Sequence, residues 1–220
     1  MLGFDVDPTH LITRATGLLE RAETAGRRGV LGIAGAPAGG KSTLTDWLVS
    51  ELSRRRPGQI AHLGMDAFHL ANGVLDRHGL RAVKGAPQTF DALGYLAVLQ
   101  RIRDEPTATV FAPVFHREIE ESIAHETEIG ASVRLVITEG NYLLLGRDPW
   151  TRVAGLLDEV WFVELAEDVR QQRLVARHRS YGLGESQARE RAYGSDLANA
   201  ELIRPTRASA DLVISARVPS

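Results

Sequence analysis

Hydrophobic and polar positions divide this chain into short apolar runs and longer stretches in which apolar residues recur at helical spacing. Apolar runs, which predict buried strands, occur at 30–34, 59–65, 133–138, 159–164 and 211–214. Helical spacing, which predicts helices, occurs over 8–25, 42–55, 92–103, 167–179 and 186–202. Strands that alternate with helices are typical of a parallel sheet covered on both faces. The pattern therefore predicts a three-layer α/β/α fold with a mainly parallel sheet.

Three stretches depart from this alternation. Residues 67–91 show little periodicity and many Gly, His and Arg residues, so we expect a long loop there. Residues 109–116 are typical of a strand that Pro113 interrupts, and the acidic stretch 118–128 follows it. We interpret these last two stretches as the arms of a surface hairpin.

A glycine-rich stretch joins the first predicted apolar strand to the helix that follows it. It matches the phosphate-binding pattern G-x-x-x-x-G-K-[ST] and consists of Gly35, Ala36, Pro37, Ala38, Gly39, Gly40, Lys41, Ser42 and Thr43. Glycines let several backbone N–H groups point at one phosphate, and the helix adds the positive end of its dipole. In this pattern the lysine contacts the β- and γ-phosphates and the serine hydroxyl binds Mg²⁺. We therefore expect a site for ATP and Mg²⁺ at this turn.

Other interpretations of the glycine-rich stretch are less well supported. A glycine turn that binds nothing would not need the observed order of strand, turn and helix. A guanine-specific switch normally carries an N-K-x-D-like segment, which is excluded here because the only lysines are Lys41 and Lys84. A transport ATPase would carry an L-S-G-G-like signature, and the sequence contains none.

Two carboxylates directly follow predicted strands. Asp66 follows the run at 59–65, and Glu139 follows the run at 133–138. Ligands of open α/β sheets collect beyond the carboxyl ends of the strands, so we expect both side chains beside the glycine-rich turn. There Asp66 is the candidate general base for a hydroxyl proton, and Glu139 is the candidate second carboxylate for Mg²⁺. The alternatives are a capping role for Asp66 and a structural acid at a turn for Glu139.

Composition adds limits on the class of protein. The chain has 220 residues, of which 44% are hydrophobic and 25% charged, and its formal net charge is -2. These values are ordinary for a globular protein, and we expect one domain over 1–220 that binds neither nucleic acid nor a membrane. No apolar run approaches the roughly 20 residues that a membrane-spanning helix needs. The lack of cysteine agrees with a cytoplasmic location and argues against a structural zinc site.

Together these motifs resemble the phosphoribulokinase/uridine kinase family of P-loop kinases, which includes the bacterial pantothenate kinases. The resemblance extends over about 30–214 and rests on the glycine-rich turn, Asp66-Ala67-Phe68-His69, Pro113-Val114-Phe115-His116-Arg117, Glu139-Gly140-Asn141-Tyr142 and the Arg173-x-x-x-Arg177 helix. Within the family, the chain looks nearest to a bacterial group of nucleoside or sugar kinase-like proteins. The resemblance implies a P-loop fold with a small helical lid over about 170–190, whose Arg173 and Arg177 close over the phosphates. It also implies that Asp66 activates the acceptor hydroxyl and that Glu139 lies beside the metal.

The acceptor-binding residues are predicted from the loops that should surround the same crevice. The first candidates combine rings with charges, which suits a small polar substrate, and are Asp66, Phe68, His69, Arg117 and Tyr142. Weaker candidates are Arg81, Lys84, Phe90, Asp91 and His116. Asn199 and the stretch 204–206 are candidates to border the adenine.

The nature of the acceptor stays open. The resemblance favours a uridine kinase-like enzyme that phosphorylates a nucleoside or a sugar, but the chain departs from uridine kinases around Ala67 and over 84–91. A pantothenate kinase-like acceptor is one alternative. A nucleotide-dependent switch or ATPase without a small-molecule acceptor is another. The expected partner is a small-molecule substrate, and self-association as a homodimer is left open.

Overall fold

The computed structural model of this protein describes residues 3–217. In chain order, its strands are β1 (Gly3–Phe4), β2 (Gly29–Ala34), β3 (Ile60–Gly64), β4 (Val110–His116), β5 (Glu121–Ile129), β6 (Leu135–Gly140), β7 (Glu159–Glu164) and β8 (Leu212–Arg217). Six of them form a central sheet in the order β1-β8-β7-β2-β6-β3. Every pairing in this sheet is parallel except that of β1 with β8. The predicted mainly parallel sheet is therefore confirmed.

Helices cover both faces of the sheet. In chain order they are α1 (Pro8–Thr24), α2 (Lys41–Arg55), α3 (Asn72–Arg77), α4 (Ala92–Asp104), α5 (Trp150–Ala154), α6 (Glu167–Ser180), α7 (Glu185–Tyr193) and α8 (Ser195–Ile203). On one face, α1 and α2 pack through a buried cluster that includes Leu11, Leu44 and Leu48. On the other face, α4 packs through a second cluster that includes Tyr95 and Leu99. The three predicted layers are present.

The packing of α2 fixes the start of that helix beside the sheet. Leu44, Leu48 and Leu52 recur at every fourth position, and all three are fully buried against the sheet. Burial of a leucine side chain contributes about 1.5–3 kcal/mol to folding, so this face of α2 is firmly held. The first turn of α2 therefore stays at the carboxyl ends of β2 and β6, where the glycine-rich turn lies.

Several elements differ from the prediction. The helix predicted over 186–202 is two helices, because Gly194 has a φ of -98° and a ψ of -101°, outside the helical region. The loop predicted over 67–91 contains α3 and short 3₁₀ turns. Neither β1 nor α5 was predicted, because elements of 2 and 5 residues are too short to show a periodicity.

β4 and β5 form a separate antiparallel hairpin, as predicted. The register between the two strands shifts between Ala112 and Val114. Pro113 lies at this shift. A proline has no N–H group to donate to the neighbouring strand, so it fits a position where the regular pairing is interrupted.

Arg28 fastens the base of this hairpin to the rest of the fold. Its side chain is fully buried, and its guanidinium donates to the carbonyl oxygens of Glu105, Ala108, Gly130 and Val133 at 2.7–3.4 Å. The first two carbonyls lie between α4 and β4, and the other two lie between β5 and β6. One planar group thus joins both connections of the hairpin and sets its direction relative to the sheet.

Candidate active site

The glycine-rich turn lies between β2 and α2. Gly35 has a φ of 147°, and a Cβ at this position would lie 2.3 Å from the carbonyl oxygen of Val163 on β7. Gly40, the residue before α2, has a φ of 104°. Both positions require glycine, because other residues rarely adopt these angles and β7 leaves no space beside Gly35. The backbone consequently surrounds the N-terminus of α2, where N–H groups and the helix dipole attract a phosphate.

Lys41 begins α2 and directs its ammonium group into the turn. Its Nζ donates to the carbonyl oxygen of Ala36 at 3.0 Å and to Oδ1 of Asn141 at 2.7 Å. Burial lowers the pKa of Lys41 to about 8, although the charges of Glu139 and Asp66 act in the opposite direction. A buried cation held by neutral oxygen atoms is well placed to exchange them for the oxygens of a phosphate.

Ser42 and Glu139 form a hydroxyl–carboxylate pair beside the turn. Ser42 Oγ donates to Glu139 Oε2 at 2.9 Å. Burial raises the pKa of Glu139, and the negative charge of Asp66 adds to this effect, whereas the positive charge of Lys41 opposes it. Oxygen ligands of this kind fit Mg²⁺, which is bound by one or two protein groups together with phosphate oxygens and water. No cluster of three or more ligating side chains occurs within 3–217, so this fit requires a phosphate as well.

Asp66 lies in a 3₁₀ turn (Met65–Phe68) that directly follows β3. Its Oδ2 accepts a hydrogen bond from Nη2 of Arg117 at 2.6 Å. Burial raises the pKa of Asp66, but the positive charges of His69, Arg117 and Lys41 outweigh this effect and hold the pKa below its usual value. Asp66 is therefore ionised at neutral pH.

One cavity of about 730 Å³ brings most of the predicted site residues together. The predicted residues in its walls are Pro37, Ala38, Gly39, Gly40, Lys41, Ser42, Thr43, Asp66, His69, Arg81, Lys84, Phe90, Arg117, Glu139, Arg173, Arg177 and Asn199. Gly35 and Ala36 shape the turn without lining the cavity. A cavity of this size accommodates a nucleotide together with a small second substrate.

Arg173 and Arg177 reach the cavity from α6. The Nε atom of Arg173 is buried and has no hydrogen-bond partner among the described residues. Burial, together with the positive charge of Arg117, lowers the pKa of Arg177. Within 3–217, no carboxylate lies within 4.0 Å of the Arg177 guanidinium. Half-buried guanidinium groups that line a cavity and lack acidic partners are suited to an anionic ligand such as a phosphate.

α6 is attached to the rest of the site at both ends. Near its start, Arg170 donates to the carbonyl oxygen of Pro37 in the glycine-rich turn at 3.2 Å. Near its end, His178 Nε2 lies 2.6 Å from Oδ2 of Asp196 on α8. These contacts fix the direction in which Arg173 and Arg177 project.

Four candidate acceptor residues do not line the cavity. Phe68 and Tyr142 are buried in the core beneath it, and the Tyr142 hydroxyl donates to the carbonyl oxygen of Gly85 at 2.6 Å. Asp91 caps α4 by accepting from the backbone of the first turn. His116 pairs with glutamates on the exposed surface of the hairpin. These side chains support or border the wall, which corrects the prediction that Phe68 and Tyr142 contact the acceptor directly.

Three aromatic rings and two cations pack together in one part of the cavity wall. The His69 ring lies 4.0 Å from Phe90 and 4.8 Å from Phe115, centroid to centroid. Lys84 and Arg117 lie over Phe115 at 5.2 Å and 5.6 Å. This part of the wall therefore combines the rings of His69, Phe90 and Phe115 with the charged groups of Lys84 and Arg117.

Several residues of the cavity wall were not predicted. They include Asn72, Glu118, Glu120, Asn141, Tyr181, Arg191 and Asp196. Asn141 lies inside the motif Glu139-Gly140-Asn141-Tyr142, so its amide could have been predicted as a site group. Arg191 of α7 and Asp196 of α8 lie in no sequence motif, so nothing in the sequence indicates them. Asn199, predicted to border the adenine, lines the cavity and donates to the carbonyl oxygen of Gly85 at 3.4 Å. Its contact with the adenine stays a prediction.

The sequence is similar to known kinases over most of its length. It is 36% identical over 152 residues to "ATP-dependent kinase-like protein notR'" of Aspergillus versicolor, which covers 65% of this chain and 88% of that protein. It is 30% identical over 211 residues to "Putative uridine kinase C227.14" of Schizosaccharomyces pombe, which covers 93% of this chain and 88% of that protein. The chain belongs to the phosphoribulokinase/uridine kinase family of P-loop kinases.

Solved structures agree with membership of this P-loop kinase family. A "putative fructose transport system kinase" from Silicibacter is 36% identical and superposes with a TM-score of 0.82, over 92% of this chain and 98% of that one. Phosphoribulokinase from Rhodobacter spheroides is 14% identical with a TM-score of 0.61, over 86% of this chain and 70% of that one, and shows the same fold. The profile of a family described as methylmalonyl Co-A mutase-associated GTPase MeaB matches residues 6–73, which contain the glycine-rich turn. Within 3–217, the helices are too short or too polar to cross a membrane.

Proposed function

We propose that this P-loop kinase transfers the γ-phosphoryl group of ATP to a hydroxyl group of a small metabolite. The observation that carries the proposal is that one cavity joins the glycine-rich turn and the Ser42–Glu139 pair to an ionised Asp66. Phosphoryl transfer to an alcohol requires these parts, namely a cradle for phosphates, oxygen ligands for Mg²⁺ and a carboxylate beside the acceptor.

Each residue has a distinct part in the proposed reaction. The turn and Lys41 hold the phosphates of ATP, and Ser42 with Glu139 would hold Mg²⁺, which neutralises phosphate charge when bound. The oxygen of the acceptor hydroxyl bonds to the γ-phosphorus while Asp66 accepts the proton of that hydroxyl. The bond between the γ-phosphorus and the oxygen of ADP breaks. Arg173 and Arg177 face the charge on the transferred group.

Among the acceptors considered, the geometry favours a sugar or a similar polyol. A nucleoside base would stack on an aromatic face, but the Phe90 ring already packs against His69, and the Phe115 ring packs against His69, Lys84 and Arg117. A pantothenate-like acceptor brings a carboxylate, yet Lys84 already contacts Asn72 and Glu120. The hydroxyl groups of a sugar match the remaining polar wall.

The proposal is tested by assaying ATP-dependent phosphorylation of sugars, nucleosides and pantothenate with the wild type and two variants. Asp66→Asn keeps size and most hydrogen bonding but cannot take the proton, so we expect kcat to fall by about 10²–10⁴-fold. The dissociation constant for ATP with Mg²⁺ should change little in this variant. Lys41→Ala should lose most activity through loss of its phosphate contact.

Circular dichroism controls for unfolding of either variant. Wild-type turnover in Lys41→Ala would contradict the phosphate-binding role of the turn. Unchanged kcat in Asp66→Asn would remove Asp66 as the base. Hydrolysis of ATP with no phosphorylation of any acceptor would favour the ATPase alternative.

A further inference from the structure

The hairpin brings a guanidinium to the carboxylate that the proposed reaction uses. Arg117 directly follows β4, and its Nη2 lies 2.6 Å from Oδ2 of Asp66. Both side chains are partly accessible from the cavity, with exposed fractions of 40% and 36%. The sequence predicted Arg117 as an acceptor-binding residue, but its contact in the structure is with the base.

The two oxygens of Asp66 are in different situations. Oδ2 is held by Arg117, whereas no group within 3–217 donates a hydrogen bond to Oδ1. Asp66 lines the same cavity as the glycine-rich turn, Arg173 and Arg177. The free oxygen is therefore the one available to an incoming hydroxyl.

We propose that Arg117 is a positioning residue that holds one oxygen of Asp66 so that the other oxygen receives the acceptor hydroxyl. This inference rests on the proposed function, because it assigns Arg117 to the base of that reaction. Arg117 acts on the reaction through Asp66, and its own contact with the acceptor is secondary.

The surroundings of Arg117 hold its guanidinium in this position. Its Cζ atom lies over the Phe115 ring, 5.6 Å from the centroid, on the same strand end. The hairpin that carries both residues is fastened at its base by Arg28. A guanidinium supported by a ring and a fastened hairpin loses little freedom when it binds a carboxylate.

Arg117 is one of several charged groups that face Asp66. His69 lies on the same turn, Lys41 projects from α2 and Arg177 from α6, and each favours the ionised carboxylate. Glu139 of β6 and Tyr142 interact with Asp66 in the opposite sense when they are ionised. Loss of the Arg117 charge should raise the pKa of Asp66, because it removes the closest cation and leaves the burial that disfavours the charged form.

The test is a pH titration of Asp66 by nuclear magnetic resonance in protein labelled with ¹³C-aspartate. The full chain is used without ligands, and the Asp66 carboxyl signal is assigned from its loss in Asp66→Asn. In Arg117→Met we expect the pKa of Asp66 to rise by about one unit or more, a tenfold higher proton affinity. Arg117→Lys keeps a cation and should show a smaller rise. Arg101→Met, which removes an exposed arginine of α4, should show none. An unchanged Asp66 pKa in Arg117→Met would overturn the inference.

A kinetic test separates positioning of the base from binding of the acceptor. With the acceptor found in the phosphorylation assay, Arg117→Met should lower kcat. In the plot of kcat against pH, the limb at acid pH should move to higher pH. The direction follows because activity is lost as pH falls through the pKa of Asp66, and that pKa is raised in the variant. A rise in acceptor KM with kcat and the acid limb unchanged would overturn the inference and restore Arg117 as a binding residue.

The two proposals fail in different ways. If the wild type phosphorylates no acceptor, the proposed function fails, and the titration still decides whether Arg117 controls the charge of Asp66. If the wild type is active and the Asp66 pKa does not move, only the role of Arg117 fails.

Discussion

Arg28 shows how one side chain far from the chemistry supports the position of a site residue. Its guanidinium satisfies four backbone carbonyls that belong to the connections on either side of the hairpin. If this buried group is removed, the carbonyl of Ala108 loses its donor, whereas N–H groups of Ala108, Val133 and Arg134 still donate to the carbonyls of Glu105, Gly130 and Val133. The hairpin then loses the anchor that directs Arg117 towards Asp66.

Arg28→Met should lower the free energy of unfolding by about 3 kcal/mol, because charge-assisted hydrogen bonds to four carbonyls are lost and the Ala108 carbonyl is left without a donor. Urea denaturation followed by circular dichroism measures this difference. Arg101→Met, an exposed arginine paired with Glu105, is the matched control and should change stability by less than about 1 kcal/mol. Equal stability of Arg28→Met and the wild type would contradict the anchoring role.

At the residue scale, the sequence predicts those site residues that lie in local motifs. The glycine-rich turn, Asp66 and Glu139 were identified because each follows an apolar run and meets a known chemical requirement. The Asp66–Arg117 pair joins residues 51 positions apart, and such pairing depends on how the hairpin folds back over β3. Phe68 and Tyr142 were misplaced because a sequence does not show which side of a loop faces the core.

At the element scale, α6 combines two arginines that line the cavity with two fixed ends. Its spacing predicted a helix, and the family resemblance implied that Arg173 and Arg177 lie near the phosphates. The structure adds contacts with Pro37 and Asp196 that no periodicity could indicate. The broken helix at Gly194 was missed for a related reason, since a single glycine is often tolerated within a helix. Element type was therefore predictable from spacing, while the attachment of each element was not.

Arg173→Ala and Arg177→Ala should each lower kcat by about 10²-fold or more, while ATP binds with little change, because their charge acts on the group in transfer. Arg179→Ala is the matched control on the same helix, since Arg179 is exposed and pairs with Glu185 outside the cavity. Steady-state kinetics and a direct binding measurement for ATP give the two quantities. Wild-type kcat in both cavity variants would place these arginines outside the reaction.

At the scale of the whole molecule, the cavity joins parts of the fold that pack in different layers. The turn and α2 belong to the layer that contains α1, whereas α4 and the core beneath Asp66 lie on the other face of the sheet. The hairpin and α6 reach the same cavity from outside these layers. A ligand that contacts all of these parts should stabilise the molecule as a unit.

An unreactive ATP analogue with Mg²⁺ at 100 times its dissociation constant should stabilise the folded chain by about 2.7 kcal/mol. For a chain of this length, that free energy corresponds to a rise in melting temperature of about 5–10 °C. Differential scanning calorimetry measures the rise, and Lys41→Ala at the same ligand concentration should show a much smaller one. A wild-type melting temperature that the analogue leaves unchanged would contradict a nucleotide site.

The pairing of β1 with β8 places the two ends of the described chain side by side. Gly3 is the partner of Arg217, and Phe4 is the partner of Ala216, in an antiparallel ladder. Residues paired in this way are about 5 Å apart, so a few added residues suffice to link the two positions. The packing of the sheet consequently determines which strands are neighbours, whereas the same neighbours can be joined with a different connectivity. A circular permutant opened at the exposed connection 146–148 would retain every contact described here for the active site.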